Sequence, residues 1–305
     1  HPFLQLLESS KMPFDGGKQY IVHQIYKSND DNTAWFGSDD QVGYNNRKNI
    51  VQASFLWSNV HGGFSLTEEQ LLQNGISVTD NMSVTPTREE VIQLSNILDA
   101  NNMAIKEGHD AFLDYQLFLD GTQSTDAVPG LDALVSTTPT TGTVGGIDST
   151  AFPFWQNQVI DASVLSVTPS ASTIEAQLML PAWLATDRGP DDQVDLIVAD
   201  NNYYGFFEAS QLSLKRYSNT GKGSAGFVSL SYKNADVIYD GNSGIPVNHM
   251  YFVNTNYLEL VVHKDADMEI MDDMRPVNQD GVVTPILWMG NLVCTNRSLQ
   301  AVIVP

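Results

Sequence analysis

The stretch TPTREEVIQLSNILDANNMAIKEGHDAFLDYQLFLDG, Thr85 to Gly121, decides what kind of fold this chain can have. Thr87 and Glu90 have capping-box spacing, and Pro86 is tolerated at or before a first helical turn. Val91, Leu98, Ile105, Phe112 and Leu119 repeat every seven residues, with Leu94 and Tyr115 adding to the stripe. Gly121 ends the run, and Gly108 is the point where it would bend. A helix over 87–120, at ~1.5 Å per residue, is a rod of roughly 50 Å. Such a rod far exceeds the average globular helix and is expected to act as a spine.

Working outward toward the N-terminus, QYIVHQIYKS (19–28) reads as a strand. Ile21, His23 and Ile25 share one face; Val22, Gln24 and Tyr26 share the other. A polar excursion follows, NDDNTAWFGSDDQVGYNNRKN, before a second strand-like run, IVQASFLWSNV (50–60). The pair makes a long hairpin over about 19–62, and a hairpin of that length buries little by itself. Trp35, Phe36 and Tyr44 are therefore odd on its tip: either they fold back on their own hairpin or they dock on a neighbouring subunit. With Arg47, they are candidates for subunit contact. Residues 1–18 read as irregular, punctuated by Pro13, Gly16 and Gly17. FSLTEEQLLQNG is a short helix start, capped by Thr67 with Glu68 and Glu69 in its first turn.

Working outward toward the C-terminus, TTPTTGTVGGIDSTAFPFW (137–155) crowds glycines and hydroxyl residues between apolar segments. TIEAQLMLPAWLATDRG is a short helix that Pro181 interrupts or kinks, VDLIVAD is a compact strand, and NNYYGFFEASQLSL is a helix capped by Asp200 or Asn201. Strand candidates follow in FVSLSY, ADVIYD, HMYFVNT, YLELVVHK, PILWMGNLVCT and SLQAVIV. The pattern is α+β, with sheet material at both ends of the chain.

Composition excludes several functions. The 305 residues are 42% hydrophobic, enough for a sizeable core, but the net charge is −21 with only 15 basic residues. A protein that grips nucleic acid through phosphates needs clustered Lys and Arg, and no dense basic run occurs. The single cysteine, Cys294, precludes an internal disulfide framework and a thiolate cluster, and is expected to be a buried small hydrophobe. No apolar run approaches the ~18 residues of a membrane span. HPFLQLLESS lacks the form of a signal peptide. The first residue is His1 rather than Met, as expected of a partial chain or one trimmed by proteolysis.

Catalytic motifs are suggested and then lost. GNSGIP (241–246) is similar to the nucleophile loop of chymotrypsin-like proteases, which makes a serine hydrolase using Ser243 a remote alternative. Those proteases are paired barrels, however. Here His23 and His61 lie on the hairpin strands, His109 lies in the helix, and DGNSG between two strands is better read as a turn. HKDADMEIMDD gathers His263, Asp265, Asp267, Glu269, Asp272 and Asp273 without calcium-loop spacing, and reads as the solvated face of a strand. NTGKGS around Lys222 is not a phosphate loop, and Gly142, Gly145 and Gly146 lack dinucleotide-fingerprint spacing. No catalytic residue, metal or cofactor is expected.

Taken in order, the hairpin, FLWSNVHGGFSLTEEQLLQNG, the spine, LDYQLFLDGTQ, GLDALVSTTPTTGTVGGIDSTAFPFWQN, DLIVADNNYYGFFEASQ and GVVTPILWMGNLVCTNRSLQAVI resemble the major capsid proteins of tailed bacteriophages. Those proteins share the Hong Kong 97-like coat fold, and the resemblance runs from about Tyr20 onward. It implies an N-terminal arm (1–18), an extended E-loop hairpin (19–62), a peripheral domain with the spine helix (63–159), an axial domain (160–250) and a return to the peripheral sheet (251–305). It implies hexamers and pentamers closing an icosahedral shell around double-stranded DNA held without specific binding. Scaffold, portal and decoration proteins would be further partners, no membrane is involved, and the location would be the virion after assembly in host cytoplasm. An encapsulin-type compartment is the nearer alternative. Some family members crosslink a hairpin lysine to an asparagine; Lys27 and Lys48 are on the hairpin, but no motif supports a crosslink. The glycine-rich loop falls where such a fold turns from peripheral to axial domain. Gly145 and Gly146 are expected to supply turn conformations, with Phe152, Phe154 and Trp155 anchored in a core or a subunit contact.

Overall fold

The computed structural model describes residues 2–16, 18–27, 33–43, 49–75, 88–189, 192–213, 230–241, 244–271, 274 and 281–305. The spine helix runs Arg88–Gln116, with tighter turns carrying the chain on to Gly121 at φ 80°. Its cap Thr87, and the side chains of Glu90, Val91 and Leu94, lie outside the described residues. The heptad row is not its buried face: Phe112 and Tyr115 are exposed, whereas Leu113, Leu117 and Phe118 are fully buried. The reason is that the helix packs firmly only at its C-terminal end, where the core reaches it.

A five-stranded sheet is organised by the 14-residue strand Gly281–Cys294. Its first ten residues pair antiparallel with Ser58–Thr67, from Gly281↔Thr67 to Gly290↔Ser58. Its last five pair with Leu258–His263, which in turn holds Met12–Phe14 in parallel. Gly290 sits at the handover between these partners. A Cβ there would lie 2.7 Å from the Val261 carbonyl oxygen and 2.7 Å from the Trp288 ring, so only glycine lets the strands approach.

The six-stranded sheet has the order Gln158–Asp161, Ala301–Val304, Met250–Val253, Leu196–Ala199, Ala235–Tyr239, Leu230–Tyr232. Strand side chains alternate between faces, and here both faces are apolar. Leu196, Val198, Ile238, Tyr251, Val253, Val302 and Val304 join the core shared with the five-stranded sheet. Their neighbours Ile197, Ala199, Val237, Met250, Phe252, Ala301 and Ile303 face a second core, closed by the helices Leu180–Thr186 and Asn201–Ser213. Asp200 caps the latter helix, accepting from the Tyr203 N–H at 3.0 Å. At Pro181 the winding changes, from a π turn over Ile174–Met179 to α over Leu180–Thr186. Proline has no N–H to give the α ladder, and the Leu180 N–H bonds five residues back, to Glu175.

Three expectations need correction. Residues 1–18 are not simply irregular: Pro2–Ser9 is a helix with Phe3, Leu4 and Leu7 buried, Pro2 in the first turn where its missing N–H costs nothing. HKDADMEIMDD is not one strand. The strand stops at His263, the chain turns with Met268 at φ 55°, and Ala266 is buried. Lys264 bonds Asp15 at 3.1 Å and Lys11 pairs with Asp267; Asp272 and Asp273 lie outside the described residues. Finally, the chain beyond residue 250 does not all return to one sheet, since Met250–Val253 and Ala301–Val304 belong to the six-stranded sheet.

The N-terminal helix is seated over two buried acids. Asp114 on the spine and Asp240 after the strand Ala235–Tyr239 are both buried, and the Phe3 N–H donates to Asp240 at 3.4 Å. Burial and the Asp240 carboxylate push the Asp114 carboxyl up to about 7. A folded-state pKa above the unfolded one favours folding while the group is protonated, fully so below about pH 4, and the contribution is lost as pH rises through about 7. Denaturant midpoints should therefore fall between about pH 5 and pH 8, and Asp114→Asn should flatten that slope. An unchanged slope in the variant would place the titration elsewhere.

Candidate functional site

The hairpin is a two-stranded ribbon, Tyr20–Tyr26 against Ile50–Leu56, in register from Tyr20↔Leu56 to Tyr26↔Ile50. Its second strand is shorter than the sequence run suggested. At Trp57 the chain leaves the ribbon, and Ser58 onward belongs to the five-stranded sheet. Both faces of the ribbon are apolar. Ile21, Ile25, Ala53 and Phe55 are buried, while Tyr20, Val22, Tyr26, Ile50 and Leu56 face outward and are exposed. Toward the tip, Trp35 is 104% exposed and Phe36 71%, so neither folds back onto its own hairpin. Asp40 closes a local turn there by accepting from the Gly37 N–H at 2.6 Å. Tyr44 and Arg47 lie outside the described residues.

The glycine-rich loop meets the ribbon from the other side. Thr143–Val144 and Ile147–Asp148 form a small hairpin whose turn residues, Gly145 and Gly146, have φ of 59° and 75°. Two successive positive φ values are what a tight two-residue β-turn requires. The Gly145 carbonyl accepts from the Ser54 N–H at 2.8 Å. Phe152 is half-buried, with the Lys27 ammonium 5.5 Å from its ring centre. Trp155 is in the core rather than on a contact surface: it is fully buried and donates from Nε1 to the Val144 carbonyl at 2.9 Å.

One residue that sequence reasoning passed over holds this region together. Arg297 is buried and donates from Nε to Leu134 O (2.6 Å), from Nη1 to Ser149 Oγ and Trp155 O (3.1 Å each), and from Nη2 to Asn157 Oδ1 (3.1 Å). All four acceptors are neutral, and burial lowers its pKa to about 10. The only clue in the sequence was a lone arginine shortly before the apolar run AVIV, in TNRSLQAVIV.

The described histidines among the catalytic candidates sit on different elements. Ser243 and Lys222 lie outside the described residues. His23 is on the ribbon, His61 is on the sheet strand Ser58–Thr67, and His109 is in the spine, its ring 6.0 Å from that of Trp288. Burial lowers the His109 pKa. Burial also pushes the Cys294 thiol up to about 12, so it packs as a hydrophobe. Among the described residues no group of three or more His, Cys, Asp or Glu could hold a metal ion, and no helix is long and apolar enough to cross a membrane.

A spine helix, a long-stranded sheet, a second sheet buried on both faces and a projecting ribbon make up the Hong Kong 97-like coat fold. A subunit of the cyanophage A-1(L) capsid superposes with a TM-score of 0.63 at 15% identity, over 99% of this chain and 92% of that one. The capsid of the empty GTA particle gives 0.58 at 10% identity, over 97% and 88%. The SrpI encapsulin of Synechococcus elongatus PCC 7942 gives 0.53 at 10% identity, over 99% and 86%. No family model matches the chain, and no curated protein matches it. At these identities the likeness is one of fold.

Arg297→Leu would leave four buried acceptors unpaired. At about 1–3 kcal/mol for each buried group left unsatisfied, it should lower folding stability by about 4 kcal/mol or more in urea titrations. Arg297→Lys keeps the charge but not the planar fork, so it should recover only part of the loss.

Proposed function

We propose that the chain is a structural subunit of an icosahedral shell, the major capsid protein of a tailed phage, which assembles through copies of itself and becomes part of the virion. The observation that carries this reading is the near-complete match to capsid subunits combined with the projecting ribbon. Trp35, Phe36 and the outer residues Tyr20, Tyr26, Ile50 and Leu56 leave an apolar surface that the isolated chain does not cover. Exposed apolar surface of this kind marks an association site, and in a shell a neighbouring copy would bury it. In this reading the ribbon (19–62) is the E-loop, residues 1–18 are the N-terminal arm, and residues 63–159 the peripheral domain with the spine. Residues 160–250 are the axial domain, built on the six-stranded sheet, and 251–305 completes the peripheral sheet while also lending residues 251–253 and Ala301–Val304 to the six-stranded one. The net charge of −21 suits a container, because enclosed DNA would not adhere to a strongly acidic protein. The role is structural rather than enzymatic, with scaffold, portal and decoration proteins as companions.

The encapsulin reading rests on the SrpI likeness. Mass spectrometry of purified particles separates the two: a phage shell comes with portal and DNA, a compartment with a cargo enzyme. Negative-stain micrographs of the purified chain with its scaffold should show closed particles on the order of tens of nanometres. Persistent monomers under those conditions would sink the proposal. Deleting about Asn29 to Asn46 should leave a folded subunit that fails to form stable shells. Shells of normal stability from that deletion would remove the E-loop from assembly.

A further inference from the structure

We propose that the long strand Ser58–Thr67 is a self-recognition edge: two copies of the chain pair it antiparallel about Gly62, and their spine helices meet above the seam.

In an antiparallel pair, opposed residues either exchange both backbone bonds or neither. Within Gly281–Cys294, Val283 exchanges bonds with Met274, Pro285 O accepts from the Met271 N–H, and the Met289 N–H donates to Ala266 O. All of these lie on the side away from Ser58–Thr67. Their opposites across the ladder are Ser65, Gly63 and Asn59, and His61 falls in the same phase. The N–H and C=O groups of these residues therefore point outward, and among the described residues they have no partner. At one end of this free stretch the Ser58 hydroxyl donates to the Ala127 carbonyl at 3.2 Å. At the other the Thr67 N–H donates to Gln70 Oε1 at 3.2 Å, so the stretch is centred on Gly62.

Long edges are usually guarded by charge, proline or a bulge. SNVHGGFSLT holds no Asp, Glu, Lys, Arg or Pro, and its register is unbroken. The sheet-edge strands Met12–Phe14, Gln158–Asp161, Leu230–Tyr232 and Glu269–Ile270 are, by contrast, only two to four residues long. Pairing about Gly62 sets Asn59 opposite the partner's Ser65 and His61 opposite the partner's Gly63, each exchanging both bonds. No acid then faces an acid along the seam, although each copy carries −21.

The spine's heptad row, which the isolated chain leaves partly uncovered, runs along the same edge. Leu98 and Ile105 are half-buried, and Phe112 is 48% exposed. Ile105 lies over Gly62, where a Cβ would stand 3.7 Å from Ile105 Cγ2, and Phe112 lines an open groove with Asn59 and Val60. A twofold through Gly62 sets Ile105 against the partner's Ile105 and Phe112 against the partner's Leu98. A seven-residue spacing matches itself on reversal, as an isologous contact requires. Gly108, between Ile105 and Phe112, has open space where a Cβ would be.

Strand spacing makes the two contacts compatible. The spine lies over both Ser58–Thr67 and Gly281–Cys294, the His109 ring being 6.0 Å from that of Trp288. Its axis is thus about one strand spacing from the seam, and paired edges place the two spines roughly 10 Å apart. Helices ordinarily pack at about 8–10 Å.

Disulfide trapping on the purified full chain tests the pairing. Asn59 and Ser65 are exposed, and Cys294 is buried. Opposed residues of a bonded pair have Cα atoms about 5.5 Å apart, within disulfide reach. Asn59→Cys/Ser65→Cys should give covalent dimers on mild oxidation. Asn59→Cys alone should not, since its two copies would be about 20 Å apart along the strand. Phe112→Glu should weaken dimerisation in sedimentation by about tenfold or more with the thermal midpoint retained. No dimer from the double variant, an equal yield from the single one, or unchanged association of Phe112→Glu would each overturn the proposal. Should the double variant fail to fold, Phe112→Glu decides. The pairing rests on the shell reading only in that copies meet. Shells that close without the crosslink would remove this edge and leave that reading; covalent dimers from a chain that never closes shells would do the reverse.

Discussion

A buried guanidinium with no carboxylate paired to it among the described residues governs how the two sheets of this molecule are joined. Arg297 spends its donors on two backbone carbonyls, a hydroxyl and an amide, and stacks 5.9 Å from the centre of the Trp155 ring. Removing a cation from water is costly, and only a full set of acceptors offsets it. The sites that supply them, Leu134, Ser149, Trp155 and Asn157, span the whole glycine-rich loop. That loop has almost no regular structure of its own, and the arginine gives it a single shape. The same turn, Arg297–Leu299, carries the chain from the end of the five-stranded sheet to its last strand in the six-stranded sheet.

The six-stranded sheet belongs to both cores, and this makes the chain one body. Alternate residues of Ala301–Val304 face opposite cores, as do those of Leu196–Ala199 and Met250–Val253. A sheet buried on both faces needs continuous apolar strands, and LIVA, MYFV and AVIV are that. Register slips by one residue would exchange the two sets, putting Tyr251 where Met250 packs. The size difference between such neighbours helps to fix the pairing.

Elements carrying a local signal were legible in the sequence. The spine's length, the Thr67 cap, the Asp200 cap and the positive-φ glycine pair all follow from residue chemistry at fixed spacing. What was illegible depends on partners distant in sequence. The spine's heptad row pointed to Phe112, yet burial falls on Leu113, Leu117 and Phe118, because a sheet assembled from residues 58–67 and 258–294 decides which side is covered. The N-terminal helix hid behind Pro2 and a loop-like composition, and became a helix because Phe3, Leu4 and Leu7 find a core. Arg297 gave no motif at all, since its acceptors lie 140 to 163 residues away. Among the candidate contact residues, composition could not separate the exposed Trp35 and Phe36 from Trp155, which is equally aromatic and fully buried.

A shell subunit faces opposing demands: it must fold alone, yet leave enough apolar surface uncovered to bind its neighbours. This chain divides those demands spatially. Closed packing is concentrated in the two cores and around Arg297, whereas the uncovered residues Tyr26, Trp35, Phe36 and Ile50 lie on the ribbon. A ribbon of two strands has no independent stability, so its shape before assembly depends on what it leans against. The glycine-rich loop serves both sides of that division. One side of it is locked by the arginine, and the other offers a backbone carbonyl and two side-chain-free residues to the ribbon edge. The ribbon's inner residues Ile21, Ile25, Ala53 and Phe55 join the main core, while its outer face stays uncovered. The arm's exposed surface then remains available until a second copy covers it.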